Sequence, residues 1–462
     1  MKIVLPKNVS TIINSLKEHG YDAYAVGGCV RDSILGRIPN DWDITTSAKP
    51  AEVKTIFGRT VDTGIQHGTV TVIIDKTGYE VTTYRIDGEY TDNRHPENVT
   101  FTDDLKEDLR RRDFTINAMA YNDEEGLIDI FGGREDIHNR LIRAVGNPLE
   151  RFEEDALRIM RAVRFAGQLG YEIEKETFVA GSKLVNNLKN ISAERIQVEL
   201  VKLITSDNPY LIRVAYEMGI TNVIMPEFDL MMDTAQNTPH YMYTVCEHTI
   251  KTLENIKRMD KSIITDGSCI EYNPDYFKYL RLCMLFHDMG KPSCKTTKDG
   301  KDHFFGHPQK SADIALNIMR RLKFDNKTIN AVCSLVLYHD TRMEPQSEIV
   351  KKWMYECGEQ TFYLLFSVQY ADMYAQSLYQ RDEKRNKLDA IYNLYRTIID
   401  NKEPVYLKDL AINGKDLINE KIAEGRQIGD ILQRLLTSVH NNPEYNNFEK
   451  LIEIAKESAK EI

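Results

Sequence analysis

The pattern of apolar and polar positions changes character near residue 145 of this 462-residue chain. After a helical pattern at residues 8–19, the β-branched runs YAVGG, WDITT, TVTVII and YEVTTYR predict strands. From about residue 146, periodic stretches such as ALRIMRAVRFAGQL, ERIQVELVKLI and FYLLFSVQYADMYAQ predict amphipathic helices. We therefore predict an α+β protein with a small mixed-sheet head followed by a mostly α-helical remainder.

Composition narrows the class of protein. With 42% hydrophobic and 28% charged residues, the chain is long enough for roughly two to four globular domains. No apolar run approaches the roughly 18 residues of a membrane span, and the N-terminus lacks an apolar signal region. We expect a cytoplasmic protein without membrane contact. The seven cysteines never form a CxxC pair, which argues against a disulfide framework and a thiolate zinc site.

The net charge of −10 argues against a nucleic-acid partner, because non-specific affinity for phosphates comes from Lys and Arg. The arginines are nevertheless clustered. Arg110, Arg111 and Arg112 are consecutive, and further arginines recur from Arg134 to Arg164. A local basic surface on an acidic protein is therefore compatible with an RNA substrate.

The first chemical signal is AYAVGGCVRDSILGRIPNDWDI, in which an apolar strand leads into two glycines and a helix. Such a turn lets backbone N–H groups approach a phosphate. Asp41 and Asp43 follow, and alternation along a strand would put both carboxylates on one face. Adjacent carboxylates repel unless a cation lies between them, so the pair predicts a catalytic Mg²⁺ site. The alternative for the pair alone is a solvated turn.

Seven ordered segments extend this signal into a family resemblance. They are GGCVRD, DWDI, HGTVTVI, YEVTTYR, RRRDFTINAMAYN, IDIFGGREDI and RFEEDALRIMRAVRFAGQLGY. In this order they resemble bacterial class II tRNA nucleotidyltransferases and their poly(A) polymerase relatives. The resemblance implies a DNA polymerase beta-like head. It also implies template-independent addition of CMP, CMP and AMP, from CTP and ATP, to the 3′ end of tRNA with release of pyrophosphate.

The same resemblance suggests roles for individual residues. Gly28 and Arg31 match the triphosphate-binding segment, and Arg112 matches the nucleotide-binding position of the RRD motif. Glu80 is the candidate for a third carboxylate on the next strand of the catalytic sheet. The polar segment 86–109 is similar to a mobile loop that helps to switch the nucleotide pocket from C to A.

The part EEDALRIMRAVR of the seventh segment matches the part of the family that reads the incoming base. Asp155, Arg158, Arg161 and Arg164 recur every three residues, and on one helix they would form an oblique stripe lining a pocket. Cytosine and adenine each present an amino donor beside a ring-nitrogen acceptor, which a carboxylate and a guanidinium complement. Asp155 with Arg158 therefore fits C or A and opposes U or G. The alternative is an ordinary surface helix with ion pairs.

The second chemical signal lies in the helical half. His248, His287 with Asp288, and Asp372 give the ligand set of the HD phosphohydrolases, imidazoles and carboxylates for one or two divalent metals. His303, His307 and His339 also follow the HD pattern and would form a second metal site or bind phosphate. A transition metal or Mg²⁺ fits these ligands. Each histidine alone would more often be an ordinary core or surface residue.

We predict four domains: a nucleotidyltransferase head (1–145), a helical neck with the nucleotide pocket (146–225), an HD metal-binding domain (226–395) and a helical tail that binds tRNA (396–462). No protein partner is evident. Within the same class, an A-adding enzyme and a poly(A) polymerase remain alternatives. In another class, the alternative is an HD metal phosphohydrolase whose head only holds RNA.

Overall fold

The computed structural model describes residues 2–88, 99–259, 262–265 and 268–460. Residues 89–98, in the middle of the predicted mobile loop, lie outside this description. The chain divides into two compact units, Met1–Asp229 and Leu230–Ile462. The predicted division into four domains is finer than this and stays a prediction.

The first unit contains a mixed sheet and a set of helices. Its strands are β1 Ala23–Val26, β2 Asp43–Thr46, β3 Thr60–Gly64, β4 Thr69–Ile74, β5 Thr77–Thr83, β6 Arg85–Asp87, β7 Val99–Phe101, β8 Met119–Asn122, β9 Gly126–Asp129, β10 Leu141–Ile142 and β11 Glu172–Ile173. Its α-helices are α1 Lys7–Glu18, α2 Gly28–Ile34, α3 Pro50–Ile56, α4 Leu105–Arg110, α5 Gly133–Asn139, α6 Pro148–Glu154, α7 Leu157–Leu169, α8 Lys175–Leu184, α9 Ala193–Ile204, α10 Ile212–Glu217, α11 Ile220–Ile224 and α12 Pro226–Asp229.

Seven strands form the main sheet in the order β3-β4-β5-β2-β1-β8-β9. β2 pairs antiparallel with β1 and parallel with β5, so the sheet is mixed, as the sequence predicts. The register sets Val26 opposite Asp43 and Ile44 opposite Val81. The start of β2 therefore lies beside the end of β1, where the chain turns through Gly27 into α2. This corner of the sheet brings the predicted chemical residues together.

The helices of the first unit carry apolar faces at helical spacing. On α9 the buried apolar side chains are Ile196, Leu200, Leu203 and Ile204, and this face packs against α7. Almost all of α7 is buried, including Arg158 and Arg164. A buried guanidinium needs hydrogen-bond acceptors within the protein. The partners of these two arginines therefore determine which of their N–H groups remain available to a ligand.

The second unit is mostly helical, with short strands between the helices. Its α-helices are α13 Val245–Asn255, α14 Pro274–Phe286, α15 Lys291–Cys294, α16 His307–Arg321, α17 Asn326–Tyr338, α18 Ser347–Cys357, α19 Glu359–Ala375, α20 Arg381–Asp400, α21 Gly414–Asn419, α22 Gln427–Asn441 and α23 Phe448–Ser458. Its strands are β12 Lys257–Met259, β13 Ser262–Thr265, β14 Ser268–Glu271, β15 Thr296–Lys298 and β16 Lys301–His303. One core cluster is built by α18, α19 and α20, and another by the tail helices α21 to α23.

The strands of the second unit correct the expectation of an almost wholly helical half. β15 and β16 form a hairpin whose turn residues, Asp299 and Gly300, both have positive φ, at 52° and 72°. Asp-Gly is the dipeptide that a two-residue hairpin with positive φ at both positions favours. This local signal is present in the sequence, but the helical periodicity on either side obscured it. Within the part of the chain that the structure describes, every helix is too short or too polar to span a bilayer.

Candidate active site and metal centre

The first candidate site lies where β1, β2 and β5 meet. Asp43 is the first residue of β2, and the parallel register continues from Ile44 and Val81 to set Glu80 beside it. Asp43 and Glu80 both line a cavity of about 200 Å³, together with Arg112. Asp41 precedes the strand, so the expectation that both aspartates lie on β2 is wrong for Asp41. The strand β2 starts at Asp43 because its partner β1 ends at Val26, opposite Asp43, where the chain turns through Gly27 into α2.

The charges around Asp43 are arranged for a positive ligand. Burial raises the pKa of the Asp43 carboxyl above its usual value, Asp41 raises it further, and Arg112 acts in the opposite direction. The ionised form of Asp43 is thus disfavoured in the absence of a cation. Among the described residues, however, Asp41, Asp43 and Glu80 do not form a group whose ligand atoms all lie within 4.8 Å of one another.

Gly27 forms the turn between β1 and α2. Its φ is +84°, a conformation that favours glycine, and a Cβ at this position would lie 3.1 Å from Nη1 of Arg112. Arg112 therefore reaches the glycine turn that precedes Gly28. The Arg112 guanidinium forms an ion pair with Asp108 at 3.4 Å, and the same carboxylate accepts from Arg111 at 2.7 Å.

Asp108 is an anchoring residue that the sequence analysis missed. It is fully buried, and although burial opposes ionisation, Arg111 and Arg112 lower the pKa of its carboxyl. The signal was available, because Asp108 lies three and four residues before the two arginines, at the end of a helix. The three consecutive arginines are thus not a uniform basic surface, since two of them share a buried counter-charge.

A chain of hydrogen bonds connects the glycine turn to α7. Arg31 donates to Oδ1 of Asn117 at 2.6 Å, and Asn117 donates to Oδ1 of Asp113 at 3.1 Å. Arg161 donates to Oδ2 of Asp113 through Nε and Nη2, at 2.9 and 2.6 Å. Burial opposes the charge on Asp113, but Arg161 and Asn117 hold the pKa of its carboxyl at about 2. Arg31 and Arg161 are therefore parts of one fixed network.

The predicted base-reading residues do not all lie on one helix. Asp155 precedes α7. Its Oδ1 accepts at 3.0 Å from the N–H of Leu157, the first residue of that helix, and its Oδ2 accepts from Arg195 at 2.7 Å. Arg158 donates to Glu154 at 2.6 Å and to the carbonyl of Arg111 at 2.9 Å. The expectation of a single helical stripe is thus wrong for Asp155, because the chain breaks its helical hydrogen bonding between α6 and α7.

Arg164 points to a different partner from Arg158. Its Nε donates to Glu199 at 2.7 Å, and both side chains are buried. The Arg164 guanidinium also lies over the ring of Phe165, 3.5 Å from the centroid, and those of Arg31 and Arg161 lie 5.2 and 5.3 Å from the same centroid. Three of the predicted nucleotide-binding arginines thus surround one aromatic ring.

The second candidate site lies within the second unit, where the structure brings the predicted metal ligands together. His248, His287 and Asp372 each offer one ligand atom within 4.8 Å of the others, and Asp288, His307 and His339 do the same. Asp288 lies between the groups: its Oδ2 is 3.3 Å from Nε2 of His287, and its Oδ1 is 3.5 Å from Nε2 of His307. His303 belongs to neither group in the described part of the chain and stacks on Phe305 instead.

Three of the histidines are oriented in the same way. His287, His307 and His339 each set Nδ1 at 2.7–2.8 Å from the carbonyl oxygen three residues earlier. A carbonyl only accepts, so each Nδ1 carries the proton in this contact, and Nε2 faces the site. Burial lowers the pKa of His339 to about 3, which keeps that ring neutral and able to coordinate.

Buried atoms without regular hydrogen bonds mark the same place. Nε2 of His287 and both carboxylate oxygens of Asp288 are buried and lack a hydrogen bond of normal geometry, although Lys291 Nζ lies 2.7 Å from Oδ2 of Asp288. Burial opposes the charge of Asp288, but His287 and Lys291 hold the pKa of its carboxyl well below its usual value. An ionised bridging carboxylate and imidazole nitrogens are a donor set that fits divalent metals.

Three family models match the chain. They are described as "Poly A polymerase head domain", at residues 23–143, "Probable RNA and SrmB- binding site of polymerase A", at residues 170–232, and "tRNA nucleotidyltransferase domain 2 putative", at residues 307–455. The first covers the sheet and the glycine turn, and the third runs across the boundary predicted at residue 395.

Whole-chain relatives decide the family. The CCA-adding enzyme of Ligilactobacillus salivarius is 34% identical over 460 residues, which is 98% of this chain and 97% of that protein. The chain belongs to the CCA-adding enzymes. The CCA-adding enzyme of Pediococcus pentosaceus is 52% identical over 249 residues, 54% of this chain and 61% of that one. The solved Bacillus stearothermophilus CCA-adding enzyme in complex with CTP is 29% identical with a TM-score of 0.69, and the match covers 98% of each chain.

Membership of the CCA-adding enzymes confirms the predicted fold class and nucleotidyltransferase activity. It does not test the individual site residues or the HD assignment, which stay predictions. The residues that sequence analysis missed are mainly partners: Asp108 behind Arg112, Arg195 on Asp155, and Glu199 on Arg164. Arg195 lies 40 residues from Asp155, and no local spacing announces such a contact.

The Arg164–Glu199 pair leads to a stability prediction. We expect Glu199→Gln to lower the free energy of unfolding of the first unit by about 3–5 kcal/mol, because the buried Arg164 loses its counter-charge. Trp42 and Trp353 are the two tryptophans of the chain. Urea unfolding followed by Trp42 fluorescence in a Trp353→Phe background would report on the first unit.

The matched control is Glu194→Gln, the same change at an exposed position of the same helix. It should shift the midpoint of the Trp42 transition by no more than the equivalent of about 0.5 kcal/mol. Equal midpoints for the two variants would mean that Arg164 does not depend on Glu199.

Proposed function

We propose that this protein adds CCA to the 3′ end of tRNA, using CTP and ATP and releasing pyrophosphate. One observation carries the assignment of the site: Asp43, Glu80 and Arg112 line a single cavity beside the Gly27 turn. The family supports the reaction, since the Bacillus stearothermophilus relative was solved with CTP. The Thermotoga maritima enzyme, solved with tRNA, supports the fold at 20% identity and a TM-score of 0.58.

In the proposed mechanism, Asp41 and Asp43 would hold Mg²⁺, and Glu80 would offer a further carboxylate oxygen. Mg²⁺ in such sites takes one or two carboxylates and completes its shell with water and substrate phosphates, so an open group of carboxylates fits it. When bound, it lowers the pKa of the attacking hydroxyl and neutralises charge on the phosphates. Gly28, Arg31 and Arg112 bind the triphosphate, which orients the α-phosphorus toward the tRNA terminus.

The bond changes follow from this arrangement. The terminal 3′-hydroxyl of the tRNA, beside Asp41 and Asp43, gives its proton to solvent water, and its oxygen forms a bond to the α-phosphorus. The bond from the α-phosphorus to the bridging oxygen breaks, and pyrophosphate leaves with the negative charge that Arg112 and Arg31 face.

Base choice falls to Asp155 and Arg158. The Asp155 carboxylate has lone pairs beyond those used by Leu157 and Arg195, so it can accept from the amino group of C or A. Arg158 donates to the ring nitrogen, and its contacts with Glu154 and the Arg111 carbonyl fix its direction. Arg161 and Arg164 support this region through Asp113 and Glu199.

The helical part of the first unit and the tail of the chain are the remaining segments proposed to contact RNA. The RNA-binding family model at residues 170–232 supports an RNA contact by the helical part of the first unit. The tail at residues 396–462 as a tRNA-binding element, and the cytoplasmic location, stay predictions. The tail helices form their own core cluster, which is compatible with a folded RNA-binding element.

The test supplies full-length protein and Mg²⁺ with a tRNA that ends at the discriminator base. We expect growth by two nucleotides with CTP alone, by three with CTP and ATP together, and no growth with ATP alone. Extension restricted to a tRNA that already ends in CC would mean an A-adding enzyme. Long ladders with ATP alone would mean a poly(A) polymerase, and no incorporation would overturn the proposal.

A second candidate function rests on the metal-ligand groups of the second unit. We propose that two divalent metals would bind here, one at His248, His287 and Asp372 and the other at His307 and His339, with the Asp288 carboxylate available to both groups. The position of Asp288 between the two groups and the common orientation of the histidines favour this. Two metals on one carboxylate support hydrolysis of phosphate esters, so we propose a phosphohydrolase of the HD type.

This second function predicts a metal-content result. Asp288→Asn should lose most of the bound metal, because one bridging carboxylate serves both groups and its charge offsets that of the ions. The measurement is metal content per chain by mass spectrometry after loading with Mn²⁺, Co²⁺, Ni²⁺ or Mg²⁺ and gel filtration.

The control variant for metal content is Asp313→Asn, an exposed carboxylate on α16 that bonds only to Gln309 among its described contacts. It should retain about two ions per chain with at least one of these metals, as the wild type should. Wild-type protein free of metal under all four conditions, or Asp288→Asn with full occupancy, would rule out a bridged site.

A further inference from the structure

Basic side chains lie on one wall of the cavity that contains the metal-ligand groups. This cavity has a volume of about 950 Å³, and His307, His339 and Asp372 are among its lining residues. His240, Arg342 and Lys384 line it too. The volume exceeds what metal ions and a phosphate require, which leaves room for an organic group.

Lys384 is connected to a proposed metal ligand through short contacts. Lys384 Nζ lies 3.2 Å from Nδ1 of His240 and 2.7 Å from Oε1 of Gln376. The amide of Gln376 donates to Oδ2 of Asp372 at 2.7 Å. Lys384 is therefore separated from a proposed metal ligand by one side chain, at the side of the carboxylate that does not face His248.

Mutual repulsion characterises this group. Burial lowers the pKa of His240, and Lys384 and Arg342 lower it further. Burial also lowers the pKa of Lys384; Arg342 and Arg381 act in the same direction, and Asp372 and Asp340 oppose them. Like charges collected in a recess are stabilised when an anion binds between them. The nearby carboxylates only partly supply that anion, and Asp372 is committed to the histidines.

We propose that Arg342, Lys384 and His240 form the phosphate-binding wall of the second-unit site and select phosphate monoesters over diesters. This inference rests on the proposed phosphohydrolase function of that site. A monoester carries close to two negative charges at pH 7, since its second pKa is about 6, whereas a diester carries one. The Coulomb attraction to two fixed cations is about twice as large for the monoester.

The reaction is hydrolysis with a water molecule as the co-reactant. The water oxygen forms a bond to phosphorus, the ester bond from phosphorus to oxygen breaks, and the leaving alkoxide takes up a proton. The products are inorganic phosphate and an alcohol, and no oxidant or reductant is needed. Inorganic phosphate is thus both the product and a probe of the wall.

The first test is binding of inorganic phosphate to the full-length protein by calorimetry, with and without added metal. We expect Lys384→Gln and Arg342→Gln each to weaken binding about tenfold, the loss of one charged contact. The control is Arg385→Gln, which removes a charge from α20 at an exposed residue paired with Asp389 that does not line the cavity. Circular dichroism and metal content should be equal in all variants.

The second test compares p-nitrophenyl phosphate with bis(p-nitrophenyl) phosphate as substrates. The wild-type ratio of kcat/KM should favour the monoester, and each variant should lower that ratio about tenfold. If the variants kept their metal and their hydrolysis, and neither their phosphate affinity nor their ratio of kcat/KM changed, the phosphate wall would be overturned. The proposed phosphohydrolase activity would be unaffected by that result. Phosphate binding that depends on Lys384 in a protein without metal or hydrolysis would retain the wall and remove the phosphohydrolase.

Discussion

Asp43→Asn should slow nucleotide incorporation into tRNA by about a thousandfold, equivalent to about 4 kcal/mol of transition-state stabilisation. Asp43 is the first residue of β2, beside Glu80 and opposite Val26, at the corner where the glycine turn begins. An amide in its place keeps the shape but is a much poorer ligand for a divalent cation. Because the effect is on the attacking hydroxyl and the phosphates, kcat should fall more than nucleotide affinity.

The same substitution should leave the fold intact or slightly stabilise it. The pKa of Asp43 is raised in the folded protein, so its ionised form opposes folding at neutral pH, and removing the charge relieves the repulsion with Asp41. We expect a melting temperature equal to or above that of the wild type. Active sites commonly carry such a cost in stability.

The experiment is single-turnover addition of labelled CMP at saturating CTP, with Asp62→Asn as the control. Asp62 is an exposed carboxylate on β3 of the same sheet, paired with Lys54. It should react at the wild-type rate. Incorporation by Asp43→Asn within tenfold of wild type would mean that another residue carries the metal.

The head could be predicted from the sequence because its signals are local. The glycine turn, the Asp41–Asp43 pair and the strands before and after them are each encoded within a few residues. The strand order was not predicted, because pairing between strands that are distant in sequence is not a local signal. Glu80 lies beside Asp43 at the same cavity, and its role as a ligand stays a prediction. Family resemblance added the order of the segments, which hydrophobic periodicity alone does not provide.

The partners of the site residues could not be predicted in the same way. Helical periodicity set Asp155, Arg158, Arg161 and Arg164 on one stripe, but a break before Leu157 turns Asp155 toward Arg195. Long-range ion pairs form between residues that are distant in sequence, and their formation depends on how α7 and α9 pack. Spacing therefore identifies which charges are present, and packing decides which of them are already neutralised.

In the second unit, too, the sequence identifies candidate residues but not the contacts that orient them. The adjacent His287 and Asp288 indicate a metal site. The first and last predicted ligands are, however, more than a hundred residues apart in sequence. What makes the ligands usable is the contact of each Nδ1 with a carbonyl three residues earlier, a feature of helix ends that no residue type encodes. The exclusion of His303 depends on the β15–β16 hairpin, which directs its ring onto Phe305.

Asp155→Asn should reduce discrimination between CTP and UTP about a hundredfold, measured as the ratio of their kcat/KM values. In the wild type, Oδ1 accepts the Leu157 N–H and Oδ2 accepts from Arg195. In the proposed base reading, the remaining lone pairs accept from the amino group of cytosine. Asparagine has a single acceptor oxygen, and Arg195 attracts it. The amide NH₂ is then left to face the base, where it matches the carbonyl of uracil and opposes the amino group of cytosine.

Two comparisons make this result specific to base reading. Asp207→Asn, the same change at an exposed residue of the first unit, should leave both kcat/KM values unchanged. Arg195→Gln keeps the carboxylate but removes its positioning partner, so it should lower kcat/KM for CTP and ATP together and leave the CTP to UTP ratio close to wild type. If Asp155→Asn lowered kcat/KM equally for all nucleotides, Asp155 would act only through its hydrogen bond to the first residue of α7. Base choice would then have to come from other residues.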